Sequence, residues 1–151
     1  MIALDPPRFE TTARTLIAGF GGTYNSETSV GIPALWQRFA PHLHPGQTAY
    51  GVLCNPDGTG NFDYICGVEI PDLTQLPEGW RHVEIPEQRY AVFTHRDHLS
   101  GLRRTWQTIY QKWLPESGST IARAPEFEKY TSAFNPQTGL GGIEIWIPIK
   151  P

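Results

Sequence analysis

The chain repeats itself, and this repeat limits the fold more than any other feature. Ala18-Gly19-Phe20 aligns with Ala91-Val92-Phe93. Trp36 aligns with Trp106 and Pro45 with Pro115, each pair seventy positions apart. Tyr50 aligns with Tyr130, Asn55-Pro56 with Asn135-Pro136 and Tyr64 with Glu144, each pair eighty apart. An offset held across several positions marks a duplicated unit. Each copy has the order strand, helix, strand, strand. One copy alone would cover one face of a small sheet and leave the other face and the edges bare. Two copies about a pseudo-twofold axis bury more, and they leave a cleft on the axis, a junction of the kind that ligand pockets favour. The expected class is α+β: a duplicated βαββ repeat with antiparallel sheets packed on two helices around a central ligand cleft.

Residues 8–24 read as one long strand, rich in Thr and β-branched side chains, with Gly19, Gly21 and Gly22 weakening its end. The next stretch puts Ile32, Leu35, Trp36, Phe39 and Leu43 on one helical stripe. Pro33 suits its first turn, Pro41 disturbs its last, and Pro45-Gly46 stops it. Two strands follow around the polar turn from Asn55 to Gly60, then a connector from Pro71 to Gly79. The second copy begins with a strand that Pro86 can interrupt. Its helix carries Leu102, Trp106, Ile109 and Trp113 on one face and ends at Pro115 and Gly118. Two more strands surround the turn from Asn135 to Leu140. At 151 residues one domain over 1–151 is expected, with halves of about 8–71 and 80–150.

Composition removes several functions. A net charge of −3, with no run of five Lys or Arg, argues against binding nucleic acid by bulk charge. No apolar run nears the ~20 residues of a membrane span. Met1 to Asp5 offer no basic or apolar export segment, so a cytoplasmic protein is expected, with Cys54 and Cys66 as free thiols. His42 and His44 do not share a helical face and lack further ligands, so no metal site is expected. The glycines at 19, 21 and 22 form no dinucleotide fingerprint, because its last glycine would fall at Tyr24. His95, Asp97, His98 and Ser100 lie close in sequence without a nucleophile elbow, and cap the second helix more readily. No cofactor and no catalytic residue are expected on these grounds.

The last strand offers the sharpest candidate. Ile143, Ile145, Ile147 and Ile149 share one face, and Glu144 and Trp146 share the other. With the isoleucines in the core, Glu144 and Trp146 face the cleft. A carboxylate beside an indole suits a cation with an apolar body. The positions aligned in the first copy are Tyr64 and Cys66, which would leave charge on one wall only. Tyr50, Tyr64 and Tyr130 are further candidate lining residues, and so is Trp36, although Trp36 and Trp106 lie on apolar helical stripes and suit a core as well. Five Trp, six Tyr and seven Phe could line a pocket or fill that core. A lone Glu on a strand is also commonly just solvated.

Two motifs resemble a known family. The pattern P-x-F-E-x-Y at Pro125, Phe127, Glu128 and Tyr130, followed by G-I-E-I-W-I-P-I from Gly142 to Ile149, is similar to the bacterial effector-binding domain superfamily. This is the gyrase-inhibitory-protein-like (GyrI-like) group, also found behind helix-turn-helix domains in AraC-type and MerR-type multidrug regulators. Ile32 to Phe39 and Gly67 to Pro71 fit too, so the resemblance covers residues 8–150. It implies a central pocket in which Glu144 meets cationic amphiphilic compounds, and its stand-alone versions include proteins carried on integron cassettes. The expected function is small-molecule binding without direct contact to nucleic acid or membrane. Some relatives hydrolyse cyclopropane-bearing electrophilic toxins with an acidic residue and a Tyr, which would make Glu144 a water activator here. A third expectation is a protein partner, either gyrase or a separate DNA-binding regulator.

Overall fold

A computed structural model describes residues 4–151; the expectation about export signals rests partly on Met1–Ala3, outside the described residues. Eight strands form one antiparallel sheet: β1 (Arg8–Thr12), β2 (Thr15–Tyr24), β3 (Ala49–Cys54), β4 (Phe62–Ile70), β5 (Arg81–Ile85), β6 (Gln88–His95), β7 (Glu126–Tyr130) and β8 (Ile143–Pro148). Their order across the sheet is β1-β6-β8-β7-β3-β4-β2-β5. The order reads alike outward from the β7–β3 junction, so the pseudo-twofold axis passes between these two strands. Helix α1 (Ile32–Phe39) covers the first half. Over the second half lies a composite helix made of α2 (Leu102–Thr108), a π-helical turn (Ile109–Trp113) and α3 (Leu114–Ser117).

The structure breaks both long strand candidates and exchanges the pieces. Residues 8–24 are not one strand: β1 pairs with β6 of the other half, while β2 pairs with β5 and β4. The break falls at Ala13-Arg14, and its counterpart at Pro86-Glu87 separates β5 from β6. Proline has no N–H to give a ladder, which explains the second break. Thr12 Oγ1 donates to the Pro86 carbonyl at 2.8 Å and ties the two breaks together. The outer strands of the sheet therefore meet, and the sheet curls. Ile85 of β5 and Trp146 of β8 border the same small cavity. Five strand spacings separate them in order, about 24 Å on a flat sheet.

Glycine permits the closest strand approach. Gly19 pairs with Gly67, and a Cβ on Gly19 would lie 1.9 Å from the Cys66 carbonyl oxygen. The curl gives the sheet an inner face, where Ile17, Val52, Ile65, Tyr90, Val92 and Phe127 pack together. On the outer face Ile143, Ile145, Ile147 and Ile149 pack under the composite helix, as their alternation requires. Leu35 and Phe39 of α1 pack on Tyr64, Cys66 and Val68.

Pro115 does not end the second helix; it sits inside the last helical turn, and Gly118 at φ 74° ends it. In a regular α-helix the Pro115 ring would meet the carbonyl four residues back. The π turn before it, where Leu114 N–H bonds to the Ile109 carbonyl, widens the backbone at that place.

The strand alignment also needs correction. β3 presents odd-numbered residues to the helices (Ala49, Leu53), whereas β7 presents even-numbered ones (Glu128, Tyr130). Equivalent strand positions therefore lie an odd number apart, and an offset of eighty pairs opposite faces. Tyr50 lies on the inner face and Tyr130 on the helix face. Tyr64 lies on the helix face, while Glu144 points to the inner one. A slip of one residue moves every side chain to the other side of a sheet.

Candidate ligand-binding site

The six sequence candidates do not come together. Glu144, Trp146 and Tyr50 lie on the inner face, whereas Tyr64 and Tyr130 lie on the helix face, where Trp36 of α1 meets them. Glu144 already has the partners that the sequence suggested for a ligand. Arg8 Nη2 donates to its Oε2 at 2.9 Å, and Trp146 Nε1 donates to its Oε1 at 3.1 Å. The Arg8 guanidinium also lies 5.8 Å from the centre of the Trp146 ring. A carboxylate, an indole and a cation are assembled there, and the cation comes from the chain itself.

The helix face holds a different carboxylate. Along β7, Phe127 and Lys129 point to the inner face, while Glu126, Glu128 and Tyr130 point to the helices. Glu128 is 9% exposed. Its Oε1 accepts from Tyr64 O–H at 3.0 Å and from Tyr130 O–H at 2.9 Å, and its Oε2 accepts from Trp106 Nε1 at 3.0 Å. Trp36 Nε1 donates to the Tyr64 oxygen at 2.9 Å and extends the network to α1. Trp36 also packs edge-on against Tyr130, with ring centres 5.2 Å apart. One residue thus draws groups from β4, β7 and both helices to the junction of the halves. Half-buried Trp36 and Trp106 flank it on the helical side.

Gly51 makes the arrangement sterically possible. It lies across the ladder from Glu128, and a Cβ there would fall 2.1 Å from the Tyr64 hydroxyl oxygen. All three hydrogen bonds to Glu128 come from neutral donors, and no Lys or Arg among the described residues pairs with it. Burial pushes the Glu128 carboxyl above the ordinary carboxylate range, opposed by the donors and, at longer range, by His95. Burial also pushes the Tyr64 and Tyr130 hydroxyls well up, so both stay protonated as donors.

A second carboxylate adjoins on the same face. Glu126 accepts from Tyr110 O–H of the π turn, and burial pushes its carboxyl up to about 7. Tyr110 stacks on Trp106 at an interplanar angle of 11°. The sequence placed the charge of the site at Glu144 and passed over Glu128. A usable signal was present: Glu126, Glu128 and Tyr130 alternate with Phe127 and Lys129, so two acidic residues share a face with a tyrosine.

Residues 5–150 match the profile of the GyrI-like small-molecule-binding domain. The chain belongs to this family. Among curated relatives, the GyrI-like chain is similar to the transcriptional regulator BrlR of Pseudomonas aeruginosa, 32% identical over 125 residues, which are 78% of this chain and 46% of the relative. It is also similar to a DNA gyrase inhibitor of Erwinia billingiae, 29% identical over 86 residues, 55% of each chain. The chain spans about half the length of the curated relatives it matches. Two solved structures share the GyrI-like fold. One is SAV2435 bound to tetraphenylphosphonium, with TM-score 0.77 at 19% identity over 95% of this chain and 93% of that one. The other is the Vibrio cholerae integron cassette protein VCH_CASS2, with TM-score 0.74 at 19% identity over 97% of both chains. Among the described residues, no group of three His, Cys, Asp or Glu side chains could hold a metal, and no helix is long and apolar enough to cross a membrane.

Proposed function

We propose that this chain binds cationic, lipophilic aromatic molecules on the helix face of the sheet, with Glu128 as the charged partner. The observation that carries the proposal is a buried carboxylate with three neutral donors and, among the described residues, no cation paired with it. Burying such a charge is costly, and an organic cation offsets that cost where neutral donors do so only in part. Trp36, Trp106, Tyr64 and Tyr130 supply aromatic surface for the body of the ligand and cation–π attraction for its charge. A ligand reaches Glu128 by displacing Trp36 and Trp106. The fold neighbour bound to tetraphenylphosphonium, a cation wrapped in four phenyl rings, supports this ligand class.

The test is calorimetric titration with tetraphenylphosphonium and with neutral triphenylphosphine oxide. Glu128→Gln should weaken the cation by about 2 kcal/mol or more, the scale for removing one partner of a buried charge pair. The neutral compound should change little. Glu144→Gln should leave both nearly unchanged, because Glu144 lies on the inner face, on the other side of the sheet from Glu128. Equal cation binding by Glu128→Gln and wild type would overturn the assignment, and a loss in Glu144→Gln alone would return it to the inner face.

A hydrolase is the second reading, favoured by one observation. Glu128 touches two phenols at 2.9 and 3.0 Å, a set that could orient water on a strained electrophile such as a cyclopropane. Turnover of such a compound, lost in Glu128→Gln, would select it. A role for the chain beside gyrase or a DNA-binding regulator is a third proposal, supported by the names of the curated relatives.

A further inference from the structure

The inner face carries a cavity whose lining includes one ammonium, Lys129, and one carboxylate, Glu69. It measures about 160 Å³ and is bordered by Tyr50, Ile85, Phe127, Lys129 and Trp146. Phe127 stacks on Trp146, with ring centres 5.2 Å apart at 17°, and forms a flat aromatic wall. The Lys129 ammonium lies 5.2 Å from the centre of the Trp146 ring and 5.9 Å from that of Tyr50. Among the described residues it forms no ion pair.

Lys129 is unpaired for a structural reason. Its cross-strand partner is Glu144, whose oxygens are taken by Arg8 and the Trp146 indole. The other acid at the cavity, Glu69, is exposed at its rim. The Tyr50 hydroxyl also has no hydrogen-bond partner among the described residues, and burial pushes it up to about 12, which keeps its proton. The two threonines of the rim are committed: Thr12 donates to the Pro86 carbonyl and Thr15 to the Ala13 carbonyl. The remaining donors at the cavity are an ammonium and a phenol, beside the apolar side chains of Ile85, Phe127 and Trp146. Such a combination accepts an anion with an apolar body. The volume suits one ring, since a protein cavity of about 150 Å³ admits benzene.

We infer that this cavity is a second ligand site, for small one-ring carboxylates. The ring lies against Phe127 and Trp146, and the carboxylate accepts from Lys129 Nζ and Tyr50 O–H. The site shares no residue with the Glu128 cluster and lies on the other side of the sheet. Its charge preference is the reverse of the one proposed for that cluster.

Benzoate, benzylamine and benzyl alcohol distinguish the possibilities. In two-dimensional NMR titrations of the full chain, benzoate should saturate in the millimolar range, with the largest shifts at Tyr50, Phe127, Lys129 and Trp146. Benzylamine and benzyl alcohol should bind at least ~10-fold more weakly, the loss that follows when a charge-assisted hydrogen bond is removed. Lys129→Met should weaken benzoate by a similar factor, and Lys129→Arg should retain most of the binding and guard against a folding defect. Glu128→Gln should not affect benzoate, whatever it does to tetraphenylphosphonium. The inference is overturned if benzoate shows no saturation, if Lys129→Met binds it as wild type does, or if the shifts cluster at Tyr64 and Tyr130.

Discussion

Gly51 and Glu128 face each other across the central β3–β7 ladder, and a Cβ on Gly51 would lie 2.8 Å from Glu128 Oε1. Only a hydrogen atom fits between the strand and the carboxylate. Gly51→Ala should therefore displace Glu128 and Tyr64 together. Alanine ordinarily gains stability in a strand, but overpacking of this kind costs about 1–3 kcal/mol. We expect a net loss of stability in chemical denaturation and a weakening of tetraphenylphosphonium comparable to that in Glu128→Gln. A variant as stable as wild type with unchanged binding would mean that the Glu128 network can shift freely.

Strand exchange makes the halves interdependent. β1 of the first half pairs with β6 of the second, and the outer side of β2 pairs with β5 beyond the Pro71–Gly79 connector. A fragment of residues 1–76 lacks β5, β6 and β7, and so exposes the edges of β2 and β3 as well as the inner face. Exposed edges of this kind pair with other chains. The fragment should be unfolded or self-associated. A monomer with dispersed NMR signals would contradict this.

Glu126 gives stability a pH dependence of known sign. Its carboxyl is raised from 4.5 to about 7 by burial, so the folded state holds a proton that the unfolded state has released. The stabilisation is complete below about 4.5 and is lost as pH rises through about 7. Each unit of such a shift corresponds to about 1.4 kcal/mol, so the loss is on the order of a few kcal/mol. Urea denaturation should give lower stability at pH 8 than at pH 5.5. Glu126→Gln should flatten this slope; a slope unchanged in that variant would assign it to another group.

Chelation should have no effect. The described residues contain no cluster of three metal-ligating side chains. Dialysis against a chelator should leave the melting curve in place, and a drop of several degrees would reveal a metal site.

Local chemistry made much of the fold legible. Alternation along Ile143–Ile149 set which face of β8 packs under the composite helix, and the stripe of Leu35, Trp36 and Phe39 marked α1. The repeat announced two similar halves around a junction, because duplicated segments fold alike. The sequence alone did not show that β1 and β5 change partners, since exchange depends on which strand edges meet after the sheet curls. The offset of eighty that the sequence suggested was also wrong for the strands, since it pairs Tyr64 with Glu144 although they lie on opposite faces of the sheet. Glu144 and Trp146 share a face by sequence, but only tertiary contact brings Arg8, 136 positions away, to complete that group. Glu128 stood in the recognised P-x-F-E-x-Y pattern, yet its burial needs Tyr64 of β4 and Trp106 of α2 to close on Glu128 and Tyr130 of β7. Desolvation is a property of that assembled surrounding, and no single segment carries it.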